Sequence, residues 1–341
     1  MKTTIKDIAR LSGVSITTVS QVLNGKGKRF SEDTRQKVLK VVAETEYRPD
    51  YFAKNMVNPQ SKTIGVIVPD ITDLFFSKVI EGIETYLNEK GYVILLCDSH
   101  HSDEKEAHYV SELMDRAVEG IILATPNSIA LDKLLDVKQY QSFPYVLLDR
   151  GINKRDGGNI LVDEYAGAYE AVTYLIELGH RRIGMLANDS RFYKMDERTE
   201  AYRQCLADHQ IAVEEPWIVS NAVTIEGGYL ATKELLAKTN VSALFCGNDQ
   251  MAIGAYRGIF EAGLKIPEDI SVIGYDGLDI TNYLTPSLTT VYQPAAGIGQ
   301  AAAEILVDGI LGNHRNYPNK NFPTKLLKRE SVAVVLDGIS F

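Results

Sequence analysis

Long apolar runs are missing from this chain. None approaches the roughly 20 residues of a helical membrane span, and the polar, helix-like N-terminus has no secretory apolar core, so a cytoplasmic protein without a membrane partner is expected. Cysteine is scarce: Cys97, Cys205 and Cys246 are too few and too scattered for a disulfide framework, and buried thiols are expected instead. No Ser-His-Asp or Cys-His arrangement is evident, so the chain is not expected to be an enzyme. His100 and His101 stand together in a loop without the spacing of metal ligands, and no metal is expected. Gly297-Ile298-Gly299-Gln300-Ala301-Ala302 matches a dinucleotide fingerprint in letters. It lies inside a helix begun after Pro294 and lacks a clear acidic partner about 20 residues on, so no cofactor is expected. Asn188-Asp189-Ser190 is a glycosylation sequon without a secretory route.

What is present divides the chain in two. The 341 residues, 45% of them hydrophobic, suffice for one or two substantial cores beyond a small head. Residues 1–62 hold 12 Lys and Arg against 6 Asp and Glu, whereas the whole chain carries a net charge of −9. A basic head on an acidic body fits counterion release from phosphate.

Within that head, Thr4-Ile5-Lys6-Asp7 has the pattern of a capping box opening a helix whose apolar side is Ile5, Ile8, Ala9 and Leu11, ending at Ser12-Gly13. Ser15 can cap a second helix, in which Val19, Val22 and Leu23 recur at three- and four-residue spacing. Ile16, Thr17, Thr18, Ser20 and Gln21 are then turned outward, and hydroxyls and an amide are groups that read base edges in a major groove. Two short helices around a glycine turn predict a helix-turn-helix. Ser31 caps a third helix with Val38, Val41 and Val42 on its core face, and Tyr47 and Pro49 close the head.

The chain resembles the lactose-repressor (LacI/GalR) family of transcriptional regulators, with ribose operon repressors nearest in character. The resemblance is carried by IKDIARLSGVSITTVSQVLNG (5–25), YRPDYFAKNM (47–56), IGVIVPD (64–70), CGNDQMAIGAY (246–256), IPEDISVIGYDG (266–277) and LTTVYQP (288–294). It implies a DNA-binding set of Thr4, Ser15, Ile16, Thr17, Thr18, Ser20, Gln21, Asn24, Tyr47, Lys54 and Met56. Gln21 departs from the family's usual Arg, and Gln prefers adenine where a bidentate Arg prefers guanine. Residues 50–62 read as hinge helix and linker. In the family such a hinge folds when two copies lie side by side in the minor groove, and Met56 stands where a wedging Leu is usual.

From Thr63 onward the pattern becomes α/β. TIGVIV (63–68), YVILLC (92–97), GIILA (120–124) and YVLLD (145–149), then RIGMLA (182–187), ALFCG (243–247) and SVIGY (271–275), read as buried parallel strands. Helices near 76–90, 104–116, 165–178, 196–209, 227–238 and 250–262 alternate with them. Two doubly wound parallel-sheet lobes are predicted. By resemblance they form a periplasmic-binding-protein-like effector domain, with chain crossings near 160–164, 289–293 and 320–325. The expected division is a head at 1–49, then lobe one at about 63–162 and 293–322, and lobe two at about 163–290 and 323–341. SVAVVL (331–336) is strand-like and no leucine heptad follows, which argues against a coiled-coil tetramer.

Ligand in such a fold binds at the carboxyl ends of strands. Acids, amides and aromatics gather there, and position by position the resemblance implies that Asp73, Phe75, Phe76, Asp149, Arg198, Asn248, Asp276 and Gln293 contact effector, with Arg150 added from ribose-type members. Val223 stands where purine-responsive members place an aromatic. The expectation is a repressor of a carbohydrate-utilisation operon, a homodimer on a near-palindromic double-stranded DNA operator, controlled by a small sugar with D-ribose first. A purine-responsive repressor, or a global carbon regulator gated by a phosphoprotein, is the alternative.

Overall fold

The computed structural model describes residues 3–23, 27–47, 61–124, 143–148, 158–189, 197–312 and 318–335. The chain separates into two compact units, Met1–Ser61 and Lys62–Phe341.

In the smaller unit, α1 (Ile5–Ser12) opens on a complete capping box: Thr4 accepts from the Asp7 amide, and the Asp7 carboxylate accepts from the Thr4 amide at 3.0 Å. Gly13 closes the helix at φ 70°, a left-handed value suited to glycine. The Ser15 hydroxyl accepts from the Thr18 amide at 3.1 Å and starts α2 (Ile16–Leu23). A 3-10 turn at Gly27–Arg29 leads to Ser31, which caps α3 (Glu32–Glu44). Ile8, Ala9, Val19 and Val38 form the core, with Val22, Leu23, Val41, Val42 and Tyr47 packed around them. Burying each large aliphatic contributes roughly 1.5–3 kcal/mol. Leu11, expected on the core side, is 53% exposed, because a helix of barely two turns buries only one narrow stripe.

Among its described residues the larger unit holds two six-stranded sheets. The first is built from β1 (Thr63–Val68), β2 (Val93–Asp98), β3 (Gly120–Leu123), β4 (Tyr145–Leu148), β5 (Gly158–Val162) and a late strand, Lys320–Phe322, in the order late strand-β5-β4-β3-β1-β2. Between its strands lie α4 (Leu74–Glu89) and α5 (Asp103–Asp115). The second sheet is built from β6 (Ile183–Asn188), β7 (Ile218–Asn221), β8 (Ala243–Cys246), β9 (Ser271–Asp276), β10 (Thr289–Tyr292) and a last strand, Lys325–Leu327. Its helices are α6 (Glu164–Glu177), α7 (Glu197–Asp208), α8 (Ile225–Lys238) and α9 (Asp249–Glu261). After β10 the chain returns to the first sheet as α10 (Ala295–Gly312), followed by the late strand β11 (Lys320–Phe322) and the last strand β12 (Lys325–Leu327). Among the described residues every ladder is parallel except that of β10 with β12. Oxygen-bearing side chains start the helices by accepting backbone N–H groups: Asp73 for α4, Ser102 for α5, Asp163 for α6, Thr224 for α8 and Asn248 for α9.

Four readings from sequence need correction. Thr289–Tyr292, read as a crossing, is a ladder strand of the second sheet, and the chain leaves that sheet through Gln293-Pro294. The 92–97 run is not fully buried: β2 is an edge strand, with Val93, Leu95 and Leu96 at 66%, 38% and 42% exposure. Cys97 on that strand is only partly covered, unlike Cys205 and Cys246. Residues 331–335 form no ladder; they are pinned instead by His180, whose Nε2 lies 3.1 Å from the Ala333 carbonyl, and by the Val335 amide donating to Leu178 O at 2.8 Å.

Helix α10 fills the core of the first lobe with Ile298, Ala301, Ala302, Ile305 and Leu306. It packs so closely on α4 that a Cβ at Gly299 would sit 2.0 Å from Val79 O, and one at Gly82 would sit 1.9 Å from Ala296 O. Gly299 of the fingerprint-like stretch therefore serves helix packing, whereas a Cβ at Gly297 would meet nothing nearer than 3.7 Å.

Candidate functional site

In the head, Ile16 and Thr17 are exposed at the start of α2, and Thr18, Ser20 and Gln21 are half-covered. Thr4 and Ser15 are exposed but each caps a helix, and Ser15 Oγ also lies 2.9 Å from Thr18 Oγ1. Tyr47 packs on the head core. Asn24, Lys54 and Met56 lie outside the described residues. One residue was missed: Arg29 donates from Nη2 to Gln21 Oε1 while its guanidinium lies 5.0 Å from the centre of the Phe30 ring. The basic run 26–29 after α2 was its only trace in sequence.

In the larger unit, described side chains from both lobes meet where the strands end. Asp73 follows β1, accepts from the Phe75 amide at 2.8 Å, and bonds to the Gln250 side chain at the start of α9. Burial, more than any neighbour, raises its carboxyl above the usual range. Lys78 of α4 reaches Asp279 of the other lobe at 3.5 Å. Phe75 and Phe76 stand edge to face with centroids 5.4 Å apart, both half-buried against the first lobe's core. Packing on that core thus takes part of each ring.

The second lobe supplies the floor. Arg198, near the start of α7, places its guanidinium 3.8 Å from the centre of the Tyr275 ring. Nε donates to Glu164 Oε2 at 3.2 Å, Nη2 donates to Glu164 Oε1, and Nη1 donates to the Gly247 carbonyl. Nη1 also lies 3.8 Å from Asp276 Oδ1. Asp276 ends β9 at φ 115°, a backbone conformation rare for a residue with a side chain. Gln293 holds it twice, Nε2 donating to Oδ1 at 2.8 Å and the backbone amide to Asp276 O at 3.1 Å. Burial pushes the Asp276 carboxyl well above its usual range, and Arg198 opposes that shift. Asn248 is committed to structure: Oδ1 caps α9 at the Met251 amide, 2.8 Å, and Nδ2 donates to Val223 O at 3.3 Å.

The set Asp73, Arg198, Asp276 and Gln293, read from sequence, is thus brought together, whereas Asp149 and Arg150 lie outside the described residues. Two participants were not foreseen, and a third, Asp249, was legible only as an acid at a strand end. Glu164 pairs with Arg198 from 34 residues away, and Gln250 meets Asp73 across the cleft. Asp249 is fully buried beneath the floor, accepting from Thr290 Oγ1 at 2.6 Å and the Leu278 amide at 2.7 Å, and burial raises its carboxyl to about 7. Only its place at a strand end beside Asn248 hinted at this. Charged and amide groups in such an array engage hydroxyls in pairs; among the described residues no cluster with metal-ligand character occurs.

Comparison with known proteins agrees with both halves. Residues 4–50 match the family model of bacterial regulatory proteins, lacI family, and residues 172–332 match the periplasmic binding protein-like domain. The HTH-type transcriptional repressor PurR of Vibrio campbellii is 37% identical over 309 residues, covering 90% of this chain and 92% of that protein. The crystal structure of a LacI family transcriptional regulator from Enterococcus faecium with bound ribose is 34% identical, has a TM-score of 0.73, and covers 80% of this chain and 100% of its own. That of the lac repressor dimer bound to operator and the anti-inducer ONPF is 27% identical at TM-score 0.87, covering 98% of this chain and 100% of its own.

Proposed function

The chain belongs to the lacI family of bacterial regulatory proteins, DNA-binding transcriptional repressors that are not enzymes, and from that premise we propose a sugar-gated repressor of a carbohydrate-utilisation operon with D-ribose as effector. The observation that carries the sugar is the cleft floor, where a guanidinium stacked on Tyr275 is flanked by Glu164, Asp276 and Gln293. Carboxylate, guanidinium and amide groups bond vicinal hydroxyls in pairs. The bound ribose of the Enterococcus faecium regulator supports the same reading.

The protein acts as a cytoplasmic homodimer. On the edge strand of the first sheet, exposed Val93 and Leu95 on one face and Leu96 on the other give a second copy apolar surface to cover. Two heads then reach successive major grooves of a near-palindromic operator, and residues 50–62 act as a hinge in the minor groove between them. In the head, Thr17, Thr18, Ser20 and Gln21 read bases, supported by Thr4, Ser15, Ile16, Asn24, Tyr47, Lys54 and Met56. Effector between the lobes shifts the equilibrium between two arrangements that bind DNA differently.

A purine effector is the second reading, raised by the identity with the repressor named PurR. Val223 offers no ring for a purine to stack on, and its carbonyl is already bonded by Asn248.

The test is a fluorescence anisotropy titration on the protein's own upstream DNA at one fixed salt concentration, with and without millimolar D-ribose. A change in affinity on adding ribose is expected, and Asp276→Ala should erase that change while binding DNA as before. Indifference of the wild type to ribose, with a response to a purine base, would transfer the site to the second reading.

A further inference from the structure

Arg198 is held in a way that bears on which ligands the cleft accepts. A guanidinium recognises a phosphate or carboxylate through a two-nitrogen edge that matches two oxygens at once. Here that edge, Nε with Nη2, is already matched by the two oxygens of Glu164. The remaining nitrogen, Nη1, donates to Gly247 O and faces Asp276. The pair is shielded from solvent, with 17% and 16% side-chain exposure for Arg198 and Glu164, so salt screens it little. Asp73 and Asp276 add further carboxyls near the same guanidinium. At the mouth, Lys78 is engaged by both Glu81 and Asp279.

We propose that Glu164 sets the effector class: by closing the anion-binding edge of Arg198 it makes the cleft selective for uncharged polyols and shuts out phosphorylated or carboxylated sugars. An incoming anion would have to displace Glu164 and leave that carboxylate buried without its partner, beside Asp276. A neutral sugar has no such requirement, because its hydroxyls donate to the free lone pairs of the carboxylates while the ion pair stays closed. Glu164 is therefore a specificity-determining residue supplied from the first turn of α6, directly after the chain enters the second lobe. This inference rests on the cleft being the effector site, but not on ribose being the effector.

The test uses the full chain, wild type and Glu164→Gln, titrated calorimetrically with D-ribose, D-ribose 5-phosphate and inorganic phosphate. Wild type should show no binding of either anion at millimolar concentration. Glu164→Gln, which keeps the shape but not the charge, should gain affinity for the phosphate ester by at least about tenfold. Glu164→Ala opens the same edge and should change in the same direction, which guards against a folding defect peculiar to one variant. Binding of the phosphate ester by wild type as tightly as any neutral sugar would overturn the proposal, and so would two folded variants that remain blind to both anions. Wild type ignoring ribose while the variants gain the anion would remove ribose as effector and leave the role of Glu164 standing.

Discussion

Gln21 and Arg29 act as one unit in the head. The Gln21 side-chain oxygen is taken by Arg29, which leaves the Gln21 side-chain nitrogen and the other guanidinium nitrogens of Arg29 as donors for the proposed operator contact. Gln21→Ala should therefore weaken operator binding mainly at one base position, by roughly 1–3 kcal/mol, and affinities measured on a set of single-base operator variants will show it. An equal loss on every sequence would make the residue a phosphate contact. Asp249 gives a residue-scale prediction about stability. Its buried carboxyl titrates at about 7 in the folded protein, against about 3.9 in an unfolded chain. A carboxyl raised in this way favours the fold most below about pH 4, and that contribution is lost as pH rises through 7. Asp249→Asn cannot ionise, so its stability relative to wild type should climb between pH 4 and 7 and level off above, by a few kcal/mol at most. Urea unfolding at a series of pH values measures this; a difference independent of pH would mean that Asp249 does not titrate there.

At the scale of elements, legibility followed burial. β1, β3, β4, β8 and β9 are covered on both faces and so appear as apolar runs, and the helices between them announce themselves through caps such as Asp73 and Asn248. β5, β7, β10, β11 and β12 carry polar residues and owe their strand character to a neighbouring ladder that only the fold supplies. The candidate site divides the same way. Asp276 and Gln293 lie in recognisable motifs at strand ends, but the Glu164–Arg198 pair joins two helices, and no local pattern connects them. Cys97 was misjudged because β2 lies at a sheet edge, and Leu11 because so short a helix buries only one narrow stripe; hydrophobicity alone reports neither. The contact between α4 and α10 is set by backbone meeting backbone at Gly82 and Gly299. Gly299→Ala should force these helices apart and cost roughly 1–3 kcal/mol, visible as a lower urea midpoint at unchanged slope; an unchanged midpoint would show that the helices can separate without loss.

For the whole molecule, the proposed homodimer makes operator affinity depend on assembly, since two linked heads bind far more tightly than one. Leu95 lies on the exposed edge of the first sheet, so Leu95→Asp should leave the monomer folded and shift sedimentation towards the monomeric mass. Operator affinity should fall at least about tenfold in parallel. A dimer of unchanged stability would place the interface on another face.

The passage of α10 and β11 back into the first lobe also fixes an order of events during synthesis. Residues 63–162 emerge early, yet the helix that covers α4 and the strand that closes the sheet beside β5 come only at 295–322. Until those residues leave the ribosome, the first lobe's apolar face has no lid, whereas most of the second lobe is already complete in the nascent chain. The first lobe to be translated thus stays unfinished until residue 322 has emerged. A chain broken off near residue 290 would present that unfinished face to chaperones and proteases, however sound its head.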